Sequence, residues 1–361
     1  MPRISFPYME WARAHTANPE PDLINLGVSE VVHVTTDELN VDISKMTINR
    51  KEAYAQFIEI KEVIGERYKV GTDEILFTLG ASQSNFLAFG ALFDYGDEVL
   101  IEMPTYKAFH AIAEFYDLAI REFYRDKNKD YEINIDELKS RITARTRGII
   151  ISQSHNPSGF TLKEKTMNDL IGLCEEMNIW LLSDEIYLDF NANGKGVTSY
   201  KSKSRIVTTQ SFTKVFGLGS MRCGWTFAPP DVIEKLRKFE NICYVELPYF
   251  YVGSCLQVFP KIQEIWNKRI VMIEKNRKIL KEWLSRQDKL TGKIPETGVI
   301  CFLRFKDESI IPDTDYWARK FRVQVVNGSV FGDCHSFRIG YGCLSENLEK
   351  GLEKLEKAIN E

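Results

Sequence analysis

The sequence predicts an α/β protein: a mostly parallel seven-stranded sheet flanked by helices, joined to a smaller α+β domain from the C-terminus and an N-terminal arm. Three observations carry this expectation. Seven short apolar runs, at residues 74–79, 98–102, 119–124, 147–152, 179–184, 205–210 and 222–228, have the length of buried strands. Most are separated by stretches with apolar residues at three- and four-residue spacing, the period of an amphipathic helix. With 361 residues, the chain exceeds the usual span of about 100 to 200 residues for one domain. Strands alternating with helices imply a parallel-rich sheet covered on both faces, and such sheets bind ligands at the carboxyl ends of their strands.

In chain order, residues 8–14 read as a short helix, Pro19 and Pro21 as a link, and 23–28 as an extended run. We take residues 1–45 as an arm that joins the small domain and covers the active site. Residues 46–270 form the large domain and 271–361 the small one. From 51 to 68, Ala53, Phe57, Ile60, Val63 and Ile64 fall on one helical face, and Gly71 and Asp73 are expected to end that helix. After the seven runs, Pro229 and Pro230 stop the last strand and Asp231 is expected to cap a helix over 232–239. A long helical region follows at 249–286. The small domain then shows strand signals at 299–305, 323–326 and 336–339, and a closing helix at 345–359.

Composition narrows the class. Lys plus Arg total 47 against 51 Asp plus Glu, a net charge of -4, and no basic arm is present, so nucleic acid is not an expected partner. The first thirty residues carry Glu10, Arg13, His15, Glu20 and Asp22, which excludes a signal-peptide core there, and no apolar run approaches bilayer length. Seven cysteines without a C-x-x-C pair read as reduced thiols. The expected location is the cytoplasm.

The strand ends hold the chemistry. The first runs through Gly80 into Ala81 and Ser82, a strand–glycine–helix junction whose backbone N–H groups and helix dipole suit a phosphate. The second leads to Tyr106 and Phe109, either of which would stack on a flat heterocycle. The fourth presents Asn156 in a Ser154-His155-Asn156-Pro157-Ser158-Gly159 turn. The fifth, a buried apolar run, ends in Asp184, Glu185 and Tyr187, and a carboxylate placed there needs a partner. A metal is one candidate, although the five histidines show no ligand spacing near it; a protonated pyridine nitrogen is the other. After the sixth, Ser211, Thr213 and Lys214 open a turn with Gly217, Gly219, Gly224 and Arg222. Partial burial there is expected to lower the lysine pKa and free its amine to form a Schiff base.

Taken together, phosphate, ring, acid, phenol, amine and guanidinium describe pyridoxal 5'-phosphate. The order N-P-x-G, then D-E-x-Y, then S-x-T-K with an arginine eight residues on resembles the fold-type I pyridoxal-phosphate enzymes of the class I/II aminotransferase family over nearly the whole chain. By that resemblance Lys214 would form the Schiff base and shuttle the α-proton, and Asp184 would hold the ring nitrogen protonated. Asn156 and Tyr187 would contact the ring hydroxyl, and Tyr106 would stack, with Phe109 as the alternative. Gly80, Ala81, Ser82, Ser211 and Arg222 would hold the phosphate. Arg338, in S-F-R-I-G, would bind the substrate carboxylate as a planar two-donor clamp. The implied activity is an aminotransferase on an α-amino acid with a 2-oxo acid acceptor, working as a homodimer.

Two departures from the pattern stand out. The segment 45–52 lacks the tyrosine that in many members reaches the neighbouring subunit's phosphate, and Asn327 replaces the usual proline before Gly328. The arm, with F-P-Y-M-E-W followed by N-L-G-V-S, is similar to a subgroup that includes capreomycidine synthase, which cyclises a hydroxylated arginine. That similarity implies the alternative of elimination and cyclisation, with Glu10 on a substrate guanidinium and Ser29 and His33 lining the pocket. A rival from another class is a binding or regulatory protein on the same scaffold, against which Lys214, Asp184, Arg222 and Arg338 count together.

Overall fold

A computed structural model describes residues 5–16, 20, 22–47 and 49–361. The proline link at Pro19 and Pro21 lies outside the described residues. All seven predicted strands form: β2 (Ile75–Leu79), β3 (Glu98–Met103), β4 (Ala119–Tyr124), β5 (Thr146–Ser152), β6 (Trp180–Asp184), β7 (Ile206–Ser211) and β8 (Cys223–Phe227), after a two-residue β1 (Ile24–Asn25) in the arm. They lie in one sheet in the order β2-β8-β7-β6-β5-β3-β4. Pairing is parallel from β7 to β4, whereas β8 runs antiparallel to both β7 and β2. The central strands are buried on both faces, Ile149, Ile150 and Ile151 in β5 and Leu181 and Leu182 in β6 being fully enclosed. Continuous apolar runs of this kind are what a two-sided parallel sheet requires.

Helix ends correct the sequence reading in three places. The first large-domain helix, Arg50–Tyr68, stops at Lys69, which takes the left-handed conformation (φ 62°) and returns its N–H to the Gly65 carbonyl; Gly71 and Asp73 fall beyond the stop. Asp231 does not cap the helix Pro230–Cys243. It lies in the first turn, where its charge faces the helix dipole, while Pro229 flanks the start. The helical region after residue 249 is two helices, Tyr249–Val258 and Ile262–Ser285, joined by a 3-10 turn at Phe259–Lys261. Pro260 has no N–H to continue the ladder, which explains the break.

The C-terminal part forms a four-stranded sheet from β9 (Leu290–Thr291), β10 (Ile300–Phe305), β12 (Val326–Asn327) and β13 (Ser336–Gly340), in the order β12-β13-β10-β9. The predicted run at 323–326 is divided, because β11 (Val323–Gln324) instead pairs in parallel with β1 of the arm. The arm then crosses the molecule. Gly340 N–H donates to the Leu26 carbonyl (2.6 Å), Val32 N–H to that of Gly342 (2.9 Å), Val31 N–H to that of Lys214 (3.1 Å) and Val34 N–H to that of Gly217 (3.1 Å). Glycine is required at 340, where a Cβ would collide with the Val28 carbonyl. The arm is thereby bonded both to the small sheet and to the turn that carries Lys214.

Candidate active site

The carboxyl ends of the parallel strands open into a cavity of about 440 Å³, and most of the residues singled out from the sequence line it. At its floor the helix Ala81–Leu92 begins directly after β2 with no side chain capping it. Gly80 makes this turn possible: its φ is +80°, and a Cβ there would meet Arg222 Nη2 at 2.7 Å. Gly224, opposite, could not carry a side chain either, since its Cβ would fall 2.5 Å from Gly80 Cα. The uncapped first turn with Ser82, Ser211 and Arg222 at its rim is a built anion cradle. Ser211 is buried and its Oγ accepts from Thr213 N–H (3.3 Å), while Arg222 is held by Tyr251, whose hydroxyl bonds the Arg222 and Thr78 carbonyls at 2.9 and 2.8 Å.

Asp184 closes β6 inside the cavity, buried, and accepts from Asn85 Nδ2 (2.9 Å) and from Ile186 N–H (2.9 Å). Burial, only partly offset by these bonds, raises its pKa from the ordinary 3.8 to about 6. A carboxyl poised in this way gains from a cationic ring nitrogen. Tyr187 is buried beside it, and its hydroxyl has no hydrogen-bond partner among the described residues. A buried hydroxyl left open at a cavity wall is free to take its partner from a ligand. Asn156 accepts from Arg338 Nη1 (2.9 Å) through its Oδ1, which leaves the amide NH₂ as its remaining donor. Tyr106 lines the cavity, whereas Phe109, the alternative stacker, is fully buried behind it at 6.1 Å, edge to face, and does not. These donors and the anion cradle fit pyridoxal phosphate: acid to ring nitrogen, phenol and amide to ring hydroxyl, uncapped helix to phosphate.

Lys214 reaches the middle of the cavity with its side chain 23% exposed. Here the expected pKa direction is reversed. Burial works downward as foreseen, but Glu30, Tyr187 and Tyr8 together outweigh it, so the amine is held above its ordinary value. Glu30 Oε2 lies 3.4 Å from Lys214 Nζ.

Arg338 lies behind the cavity wall, fully buried on β13. Its Nη2 donates to the Gly27 carbonyl (2.8 Å) and the Tyr8 hydroxyl (3.2 Å), and its Nε has no partner among the described residues. Tyr8 comes from the arm helix Pro7–Thr16. Its phenol is pushed up by burial, yet the charges of Arg338 and Lys214 bring it down to about 8.

Of the arm residues, Ser29 is buried and lines the cavity, and His33 lines its outer part. Glu10 does not. It is exposed and accepts from the N–H of Phe6, just ahead of its helix (3.3 Å), so the guanidinium role expected of it has no support in the geometry. Sequence reasoning missed Glu30, Tyr8 and Asn85. The L-G-V-S-E run shows an acid after an extended stretch, but nothing in it shows that the arm folds back onto Lys214. Among the described residues no cluster of three histidine, cysteine, aspartate or glutamate side chains could hold a metal ion, and no helix is long and apolar enough to cross a membrane.

The sequence pattern of the family "Aminotransferase class I and II" matches residues 43–355. The chain belongs to the class I and II aminotransferase family. It is accordingly an enzyme of the transferase kind on the fold-type I architecture. Among curated relatives of this aminotransferase, a probable aspartate/prephenate aminotransferase of Aquifex aeolicus (strain VF5) is 26% identical, covering 94% of this chain and 92% of that protein. Capreomycidine synthase of Streptomyces vinaceus is 24% identical over 83% of this chain and 78% of its own. Among solved structures, a PLP-dependent aminotransferase from Streptococcus suis 89-1591 superposes with a TM-score of 0.85 at 21% identity, covering 99% of this chain and 98% of that one. At that identity the likeness speaks for the fold.

The aminotransferase without cofactor should carry a pH signature. Because the Asp184 pKa is raised on folding, its contribution to stability is fully present below about 4 and is lost as pH rises through about 6. The shift corresponds to about 3 kcal/mol. In urea titrations of the cofactor-free protein, the stability of wild type relative to Asp184→Asn is expected to fall by that amount between pH 4 and 7. A constant difference across this range would contradict the assignment.

Proposed function

We propose that this chain is a pyridoxal-phosphate-dependent aminotransferase that takes the amino group from an α-amino acid and passes it to a 2-oxo acid. The observation that carries the reading is the meeting, in one cavity, of the Lys214 amine, the buried Asp184 carboxyl and the unpaired Tyr187 hydroxyl. The cofactor, when bound, supplies the electron sink for a carbanion at the substrate α-carbon. The chain supplies the rest. Asp184 would keep a proton on the ring nitrogen, Tyr187 and Asn156 would fix the ring hydroxyl, and Ala81, Ser82, Ser211 and Arg222 would hold the phosphate. Tyr106 bounds the ring face. Lys214 Nζ would be the amine that holds the cofactor at its aldehyde carbon and, when free of it, the base that moves the α-proton. Arg338 sets the substrate carboxylate so that the α-hydrogen faces that amine.

We further read residues 1–45 as an arm, 46–270 as the large domain and 271–361 as the small one, and the working form as a cytoplasmic homodimer. Elimination with cyclisation on a substituted amino acid is the second reading. Capreomycidine synthase among the relatives and Ser29 in the cavity favour it, and the exposed Glu10 weighs against it.

The test is spectral. Loaded protein mixed with single amino acids, arginine derivatives included, is expected to lose its visible cofactor band as the amino group moves to the cofactor, and a 2-oxo acid is expected to restore it. Product formed with the band retained would assign the cyclase reading instead. A protein that stays colourless when given pyridoxal phosphate would remove both.

A further inference from the structure

We propose that Glu30 and His33 form a proton relay between the Lys214 amine and solvent, with Glu30 as a catalytic acid–base residue and His33 as its outlet. This rests on the function proposed above and adds a route for its protons. The two oxygens of one carboxylate face different partners: Oε2 lies 3.4 Å from Lys214 Nζ, and Oε1 lies 2.9 Å from His33 Nε2. Glu30 is the most enclosed of the three at 14%, between Lys214 at 23% and His33, which opens to solvent at 57%.

The backbone holds this line in register. The bonds from Val31 N–H to the Lys214 carbonyl and from Val34 N–H to the Gly217 carbonyl, each 3.1 Å, lie one residue beyond Glu30 and one beyond His33. Gly219 lies against both links: a Cβ there would sit 3.3 Å from Glu30 Oε2 and 3.4 Å from His33 Cε1.

The proposed reaction has protons for such an outlet to carry. An amino acid arrives as an ammonium ion and must lose a proton before its nitrogen can attack, and Lys214 must lose one before it can bond an aldehyde. In the relay, an ammonium N–H proton passes to Glu30 Oε2, leaving a neutral amine and a carboxylic acid. After the carboxyl turns about its last bond, the proton passes to His33 Nε2, restoring the carboxylate. The imidazolium then releases its Nδ1 proton to water. One proton moves from amine to solvent, and no electrons are transferred. Several charged or titratable groups face this line. Tyr8 and Arg13 come from the arm helix, Asp184 and Tyr187 from the end of β6, and Arg222 from the turn before β8. Outside, Arg269 donates to the His33 carbonyl and is paired with Glu38 at 2.9 Å.

The test uses the loading step, which needs no amino acid. Cofactor-free protein is mixed with pyridoxal phosphate and colour formation is followed from pH 6 to 9. A Glu30 that serves only as counter-ion and a Glu30 that relays predict opposite signs. Without the carboxylate Lys214 gives up its proton more easily, so a counter-ion role makes Glu30→Gln load faster near neutrality. A relay makes it load slower, by about 10²-fold, with Glu30→Asp recovering much of the rate. For His33→Asn we expect a smaller loss that added imidazole restores. A Glu30→Gln protein that loads as fast as wild type or faster, or a His33→Asn defect that imidazole leaves unchanged, overturns the relay alone. Wild type that never gains colour overturns the proposed function, and the relay with it.

Discussion

Lys214→Ala is expected to lower amino-group transfer by about 10⁴-fold or more, the upper range for a positioned proton-transfer group alone, because in the proposed reaction one nitrogen would both hold the cofactor and move the α-proton. Among the described residues lining the cavity, Lys214 has no substitute. The other cations lining the cavity, Arg13 and Arg222, are exposed at its rim, and an arginine cannot surrender its proton. Lys214→Arg should fail equally while keeping the charge beside Glu30, which separates loss of the nucleophile from loss of the ion pair. Borohydride treatment followed by peptide mass analysis checks the point directly: a reduced adduct on the peptide containing residue 214 in wild type, and none in either variant. A reducible adduct on another lysine, or a variant with near-wild-type turnover, would refute the assignment.

The second large effect is expected at Arg338. Its guanidinium is fully enclosed and fixed by Asn156, Gly27 and Tyr8, with Nε left over and Nη2 shared with a phenol. A substrate carboxylate can take the Nε–Nη2 edge as a bidentate partner once the Tyr8 hydroxyl gives way. Arg338→Lys keeps the charge and loses the fork. For amino acids kcat/KM should drop about 10²–10³-fold, the range for breaking a buried, hydrogen-bonded charge pair. A primary amine without a carboxylate should react with both proteins at similar rates. Equal losses for the two substrates would mean that Arg338 only supports the fold.

How far these features are legible in the sequence depends on what kind of signal each leaves. The seven strands of the large sheet are readable because a strand buried on both faces must be apolar along its length, as at Ile149–Ile151. Asp184 is readable for a related reason, since an acid closing such a run must have a use. The reversed direction of β8 is not readable, because pairing sense depends on where the chain returns and not on which residues it contains. Helix ends misled at Gly71 and Asp231 because Lys69 and Pro229 already supply the termini.

The same distinction separates Glu10 from Glu30. Glu10 attracts notice through a local likeness, yet its carboxylate is spent on the neighbouring N–H of Phe6, at the entry to its helix. Glu30 is brought to Lys214 by main-chain bonds of Val31, Val32 and Val34, and backbone bonds leave almost no trace in side-chain identity. The lysine pKa was misjudged for the same reason, since its direction is set by a neighbour that only the arm delivers.

The path of the arm also bears on how this enzyme matures on the ribosome. Ile24 and Asn25 find their strand partners only at Val323 and Gln324, and Tyr8 and Gly27 meet the Arg338 guanidinium from the opposite end of the chain. During vectorial synthesis the large sheet can assemble while these contacts of the early residues are still missing. Its catalytic cleft therefore stays open on one side until the last strand of the small sheet has left the exit tunnel, and a nascent chain stalled before that point would have its lysine but no finished pocket around it.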